Sequence, residues 1–315
     1  MAQSKLTPLT AFLRLLPRLA LILLLLLAPS ADGSEGAVPP EENWNRENLA
    51  RIAALAPSSN TGFSFVVVGD TQGPNSKFPM VLSAILKEEG ILFVFDLGDL
   101  VNYATDEEYE ETFFRHVRGL DVPFLTCASN HDHFKSKRAA NYSRLFGTPH
   151  YYSFSVANAA FIVLDNGQDY SMTEEQFLWL ERELAVAAEK PVRFVMMHRP
   201  ISDPRPSRKG TVVPKRKPHD MTENGRTQDA ARLSALLDEW GVTMVFAGHI
   251  HSYYRGTWGR TPYIITGGGG GGLHDSGTEA SFHHYVRVDV PPDGRVTYKV
   301  VPVRKMVAPQ IALNR

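Results

Sequence analysis

Five short polar motifs in this chain bring together the side chains that bind metal ions. They are Gly69-Asp70-Thr71-Gln72, Gly98-Asp99-Leu100-Val101-Asn102, Ser129-Asn130-His131-Asp132, His198 alone, and Gly248-His249-Ile250-His251. Taken singly, each is weak: Gly-Asp is an ordinary turn whose Asp bonds the backbone, and a lone His is usually structural. Together they offer imidazole, carboxylate and amide donors, the mixture that suits Zn²⁺, Fe or Mn²⁺.

The elements around them explain how such distant residues could meet. The runs 63–68, 92–97, 123–128, 161–164, 192–197 and 243–247 are short, apolar and rich in β-branched or aromatic residues, as strands buried on both faces should be. Helical stretches are expected between them at 79–89, 106–118, 137–146, 173–188 and 229–240. Thr173 with Gln176 reads as a capping box, and Gly241 stands where a glycine ends a helix. Strand and helix alternation predicts an α/β sandwich. The runs 151–156 and 161–164, and 285–290 with 296–303 around Pro291-Pro292-Asp293-Gly294, predict antiparallel edges. Ligands in such sheets bind outside the carboxyl ends of the strands, so the five motifs would share one rim. The sequence shows no internal repeat and no second globular unit.

The motif order resembles that of the calcineurin-like metallophosphoesterase superfamily, to which purple acid phosphatases and cyclic-nucleotide phosphodiesterases are related. Its usual pattern is Asp-x-His, Gly-Asp-x-x-Asp, Gly-Asn-His-Asp/Glu, His and Gly-His-x-His. The likeness runs from about Phe63 to the C-terminal hairpin. It implies a four-layer α/β/β/α sandwich with mixed sheets and a dinuclear centre of Fe, Mn or Zn. By that resemblance one ion would take Asp70, Gln72 and His251, the other Asn130, His198 and His249, and Asp99 would bridge both. His131 would stabilise developing charge or protonate the leaving oxygen, the alternative being a hydrogen bond without chemistry. The implied reaction is hydrolysis of a small phosphate mono- or diester by a metal-bound hydroxide.

Two positions depart from the pattern. Gln72 stands where His is usual, so a harder amide oxygen replaces a nitrogen, or the residue holds only a ligating water. Asn102 stands where a carboxylate often orients the catalytic His, leaving Asp132 or a water as substitutes. Both departures motivate a competing reading, a catalytically decayed protein that binds metal or ligand on the same fold. Tyr103 is one residue beyond the position of an iron-binding Tyr in purple acid phosphatases; in an extended segment that reverses its side chain, so packing or a pocket wall is expected.

Other features are read more plainly. Residues 202–227 form a long connection carrying Arg205, Arg208, Lys209, Lys215, Arg216 and Lys217, either a solvated loop or a clamp for anionic esters. Arg199 and His219 are further candidates for substrate contact. The six glycines from Gly267 to Gly272 lack the Gly-Lys-Ser/Thr of a phosphate loop and suggest close backbone approach at the pocket, with His274 and Asp275 at its rim. Cys127, the only cysteine, excludes an intramolecular disulfide and reads as a buried apolar residue.

At the N-terminus Lys5, Arg14 and Arg18 precede an unbroken apolar run to Ala28, then Pro29, Ser30 and Ala31, the order of a secretory signal over 1–31. An uncleaved anchor is the alternative, and no cysteine follows for a lipid. The expected form is secreted or periplasmic, and membrane-tethered only if the leader stays. Residues 32–62 read as a linker with one helical turn, 63–305 as the metallophosphoesterase domain and 306–315 as a tail. Losing the leader removes three basic residues and leaves 30 Lys+Arg against 34 Asp+Glu, a balance that does not favour nucleic acid.

Overall fold

Alternation along each central strand divides its side chains between two cores. In β1 (Phe63–Val68), Phe65 and Val67 face one core while Val66 and Val68 face another. The same split places Phe93 and Phe95 of β2 (Ile91–Asp96) opposite Val94, and Phe194 and Met196 of β6 (Val192–Met197) opposite Val195 and Met197. Strands buried on both faces read as continuous apolar runs for this reason. In this computed structural model the described residues are 42–58, 60–134, 139–168, 171–205, 220–222, 226–274 and 277–303.

The strands form two mixed sheets. In the first, β11 (Thr297–Pro302) pairs antiparallel with β10 (His284–Val290), which pairs antiparallel with β1; β2 and β3 (Phe124–Thr126) continue parallel. In the second, β5 (Ala159–Val163), β6, β7 (Met244–Ala247) and β9 (Thr261–Thr266) run parallel. Its edges are the antiparallel strands β4 (Tyr152–Val156) and β8 (Tyr253–Trp258). The sheets pack face to face through Phe65, Phe93, Phe161, Phe194 and Phe246. Phe65 stacks on Phe93 at 5.1 Å and meets Phe161 and Phe194 edge-on at 5.2 and 5.3 Å, the offset and T-shaped arrangements that aromatic quadrupoles favour.

Helices cover the outer faces. On the first sheet lie α2 (Phe78–Ile85), the stretch formed by α3 (Asp106–Tyr109), a π-helical turn (Glu110–Phe114) and α4 (Arg115–Val117), and α6 (Ala140–Phe146). On the second lie α7 (Glu174–Ala187) and α8 (Thr227–Glu239). The result is the four-layer sandwich. Thr173 caps α7 by accepting from Gln176 N, but the Gln176 side chain does not return the bond; it pairs instead with Asp165 N and O. Gly241 closes α8 at φ 58°, with its N–H on Asp238 O and that of Val242 on Leu237 O, a Schellman ending that only an αL residue completes.

One helix lies in the segment read as a linker. Residues Trp44–Leu55 form α1, three turns instead of one. It docks through polar side chains on the outer edge of β3. Asn45 Oδ1 accepts from Thr126 N, Asn45 Nδ2 donates to Thr126 O, Asn48 Oδ1 accepts from Phe124 N and Trp44 Nε1 donates to Phe124 O, all at 2.7–3.1 Å. Buried backbone groups require such partners. The unit that begins at Phe63 in the sequence reading therefore takes in α1 as well.

Among the described residues no helix is long and apolar enough to cross a membrane. The leader, the tail from 304, Arg208, Lys209, Lys215, Arg216, Lys217, His219 and Asp275 lie outside the described residues. Arg205 is described, and its guanidinium is buried against the Asp203 carboxylate at 2.5 Å instead of facing a ligand.

Candidate metal centre

The polar motifs follow the carboxyl ends of β1, β2, β3, β6 and β7 and meet at one rim. Asp70, Asp99 and His249 turn away from their strands at φ 62°, 55° and 67°. That left-handed conformation costs a non-glycine residue about 1–2 kcal/mol, and such strain concentrates at functional positions.

Two groups of ligand-type atoms result, each within 4.8 Å: Asp99 with His198 and His249, and Asp70 with Asp99 and His251. Asp99 belongs to both. In the first, His198 Nδ1 lies 2.8 Å from Leu97 O, which fixes the proton on Nδ1 and leaves Nε2 as a lone pair. That lone pair faces Asn130 Oδ1 at 3.0 Å and Asp99 Oδ1 at 3.3 Å, with His249 Nδ1 at 3.1 Å. Asp99 Oδ1 is buried and accepts no hydrogen bond. His198 Nε2, Asn130 Oδ1 and Asp99 Oδ1 turn acceptor atoms on one another, which fits a cation, so the residues present suit a metal. In the second group, His251 Nδ1 donates to Gly272 O at 2.6 Å and its Nε2 lies 3.2 Å from Asp70 Oδ1.

Electrostatics agree with this geometry. Burial acts to raise Asp99, but the cationic forms of His198, His131 and His249 outweigh it and hold the carboxyl well below its usual range. Burial likewise pulls His251 down, while the Asp70 carboxylate pushes it up to about 9. Carboxylates that draw protons onto neighbouring imidazoles would exchange those protons for a metal cation.

Glycines let the backbone come close. A side chain on Gly267 would stand 2.7 Å from Asp70 Oδ2, and one on Gly269 2.4 Å from Gly69 O. This is the close approach expected of the glycine run. Gly269 and Gly271 donate to the carbonyls of Gly69 and Asp70, holding the first motif from behind.

Residues 63–253 match the family model described as calcineurin-like phosphoesterase. The chain belongs to that family. It is 27% identical to purple acid phosphatase 22 of Arabidopsis thaliana over 226 residues, 66% of this chain and 48% of that protein. It is 26% identical over 225 residues to the probable glycerophosphodiester phosphodiesterase GpdQ of Arcobacter nitrofigilis, 69% of this chain and 72% of that one. The chain thus spans about half the length of the plant relative. Its fold is similar to that of purple acid phosphatase PPD1 from yellow lupin (Lupinus luteus) seeds, with a TM-score of 0.62 at 17% identity, over 79% of this chain and 53% of that one.

The calcineurin-like phosphoesterase fold brings together Asp70, Gln72, Asp99, Asn130, His131, His198, His249 and His251, but some take places the sequence did not suggest. Gln72 lies with its amide 3.1 Å from Asp99 Oδ2 and 2.9 Å from Asp99 O, and with the nitrogen on that side it donates to both. The His131 ring is oriented by the Asn102 backbone carbonyl, 2.8 Å from Nδ1, and not by the Asn102 amide or Asp132. Asp132 instead closes a capping box on α5 (Asn130–His133), accepting from Ser129 N at 2.8 Å and from the Tyr109 hydroxyl. Arg199 donates from Nη1 to His249 Nε2 at 2.9 Å. His274 stacks on the His251 ring at 4.4 Å, and its Nδ1 accepts from the His251 backbone N–H at 3.2 Å.

Asn166 was missed. Its amide pairs with both Arg199 N and Arg199 O, at 2.9 and 2.7 Å, and fixes the chain next to His198. The signal was available, since Asp165-Asn166 follows a strand run as the other motifs do. Burial raises the Cys127 thiol well above its usual range, opposite to what a nucleophile needs.

Proposed function

We propose that this chain is an exported phosphoesterase that uses two metal ions bridged by Asp99. The observation that carries the reading is that Asp99 is shared between the two ligand groups. Asp70 and His251 would hold one ion, Asn130, His198 and His249 the other, and Gln72 would steady the bridging carboxylate. Two ions so placed lower the pKa of bound water and clamp the attacking and leaving oxygens of a phosphoryl group. The imidazole, carboxylate and amide donors suit Fe, Mn or Zn.

The chain's own groups would do the rest. His131 Nδ1 is committed to the Asn102 carbonyl, so protonation of the ring places the second proton on Nε2, on the side of Asp99. From there it reaches the leaving oxygen of a phosphate mono- or diester. For His249 Nδ1 to hold an ion, the ring proton must move to Nε2, which ends the acceptance from Arg199 Nη1. The guanidinium would then turn to the substrate anion, a charge-assisted contact. The 1–31 leader would direct export.

The departure at Gln72, whose amide engages Asp99 in place of a ligand, favours a second reading: a protein that keeps metal without turnover. Metal analysis beside hydrolysis of nitrophenyl phosphate, bis-nitrophenyl phosphate and nucleotides separates the two. Asp99→Ala is expected to lose metal and to lower hydrolysis by at least ~10²-fold, the scale of losing one group that stabilises transition-state charge. Unchanged metal content and turnover in that variant would sink the dinuclear reading, and metal without turnover in the native chain would favour the second.

A further inference from the structure

Three more ligand-type side chains converge at a second place. Asp165 follows β5, His133 ends α5 and His150 precedes β4. His133 Nε2 lies 3.0 Å from both Asp165 oxygens, and His150 Nδ1 lies 3.1 Å from Oδ2. The two imidazoles stand nearly perpendicular, at 86° with centroids 5.5 Å apart. The side chains of His133 and Asp165 are 8% and 9% exposed and that of His150 is 21% exposed, so one ligand faces an approach from solvent.

We propose that His133, His150 and Asp165 form a zinc site, separate from the Asp99 centre, that clamps the Asn130–His133 turn to the end of β5. Two imidazoles and one carboxylate are a common zinc donor set, with a fourth position for water. Tetrahedral bonds of ~2.0–2.1 Å set ligand atoms ~3.3 Å apart, a few tenths beyond the separations here, so the cluster admits the ion by small side-chain shifts. Outer hydrogen bonds of the kind that fix zinc ligands are in place for His150 and Asp165. Ser143 Oγ lies 2.5 Å from His150 Nε2, where the hydroxyl can accept that nitrogen's proton once Nδ1 binds the metal. Gly167 N donates to Asp165 Oδ1 at 3.1 Å.

The position gives the ion a purpose. His133 stands two residues after His131 and three after Asn130, on the single turn that carries both. A chain with one cysteine has no disulfide to hold that turn, and a structural zinc would do so. Without the ion, the same atoms form a hydrogen-bonded cluster in which both imidazoles donate to the carboxylate.

The test is zinc content of the full chain after loading and gel filtration, measured by elemental mass spectrometry. In an Asp99→Asn, His198→Gln, His251→Gln background, which removes the bridge and an imidazole from each ion's ligands, about one zinc per chain should remain. It should disappear when either Asp165→Asn or His150→Gln is added. His150→Gln keeps the His133–Asp165 contact and so tests the site in a folded chain, as circular dichroism would show. Zinc should also raise the thermal midpoint of the background variant, and His150→Gln should abolish that rise. No retained zinc in the background, or retained zinc that survives both additional substitutions, overturns the proposal.

Discussion

His131 makes its orienting bond through Nδ1 to a backbone carbonyl, and that bond determines which proton it can give. A His131→Gln variant should lose about 10²–10⁴ in kcat on an alkyl phosphate, the usual range for general acid catalysis. On a nitrophenyl ester, whose leaving group needs little protonation, the loss should be much smaller; equal losses on both would argue against an acid role. Beside His131 lie two of the largest exposed apolar side chains, Tyr103 at 51% and Phe134 at 48%, with ring centroids 5.7 Å apart. Phe134 is 6.5 Å from the His131 ring, so the pair forms an exposed aromatic wall beside the proposed general acid. Tyr103→Ala and Phe134→Ala should each raise KM several-fold for aryl or nucleoside esters and leave glycerol esters unchanged, since stacking is worth roughly 1 kcal/mol or more per ring pair. The charged donors at this site were legible in the sequence because each follows a strand. The carbonyls of Leu97, Asn102 and Gly272, which set the tautomers of His198, His131 and His251, were not, because a backbone group leaves no residue signature.

Central strands were the easiest elements to read. Residues 63–68 and 192–197 match β1 and β6 end to end, since burial on both faces writes an unbroken apolar run. The edge strand β8 was missed: five of its six residues, Tyr253 to Thr257, are partly or fully exposed and follow no clean alternation. Helix α1 was underestimated for the opposite reason. It docks through Asn45, Asn48 and Trp44 on backbone groups, so its contact face lacks the apolar periodicity that announces a helix. Thr126 N bonds to Asn45 Oδ1, while Thr126 O accepts from Asn45 Nδ2 and from the Tyr142 and Tyr152 hydroxyls. Asn45→Ala leaves Thr126 N buried and unpaired and should destabilise the fold by about 1–3 kcal/mol, the cost of one orphaned group. Denaturant unfolding would show it as a lower midpoint with unchanged slope.

Across the whole molecule, the glycine run and the C-terminal hairpin meet at His284, a strand residue 0% exposed whose Nε2 is buried without a partner. A side chain on Gly268 would come within 2.2 Å of its ring. Burial lowers His284 to about 4. Its folded value lies below the unfolded one near 6.5, so between those values the unfolded chain binds a proton that the native chain refuses. Stability should therefore fall as pH drops from about 6.5 to about 4 and change no further below that on this residue's account. The span is at most ~3 kcal/mol, and His284→Gln should flatten it in urea titrations at stepped pH. The two sheets also differ in how their edges end. On the first sheet, β3 is the last strand, and its outward N–H and C=O groups are all taken by α1. A chain begun at Phe63, where the strand pattern starts, would bare Phe124 N, Phe124 O and Thr126 N at that edge, beside an aromatic-rich core. Such an edge recruits strands from other molecules, so that shortened chain should self-associate while one begun before Trp44 stays monodisperse.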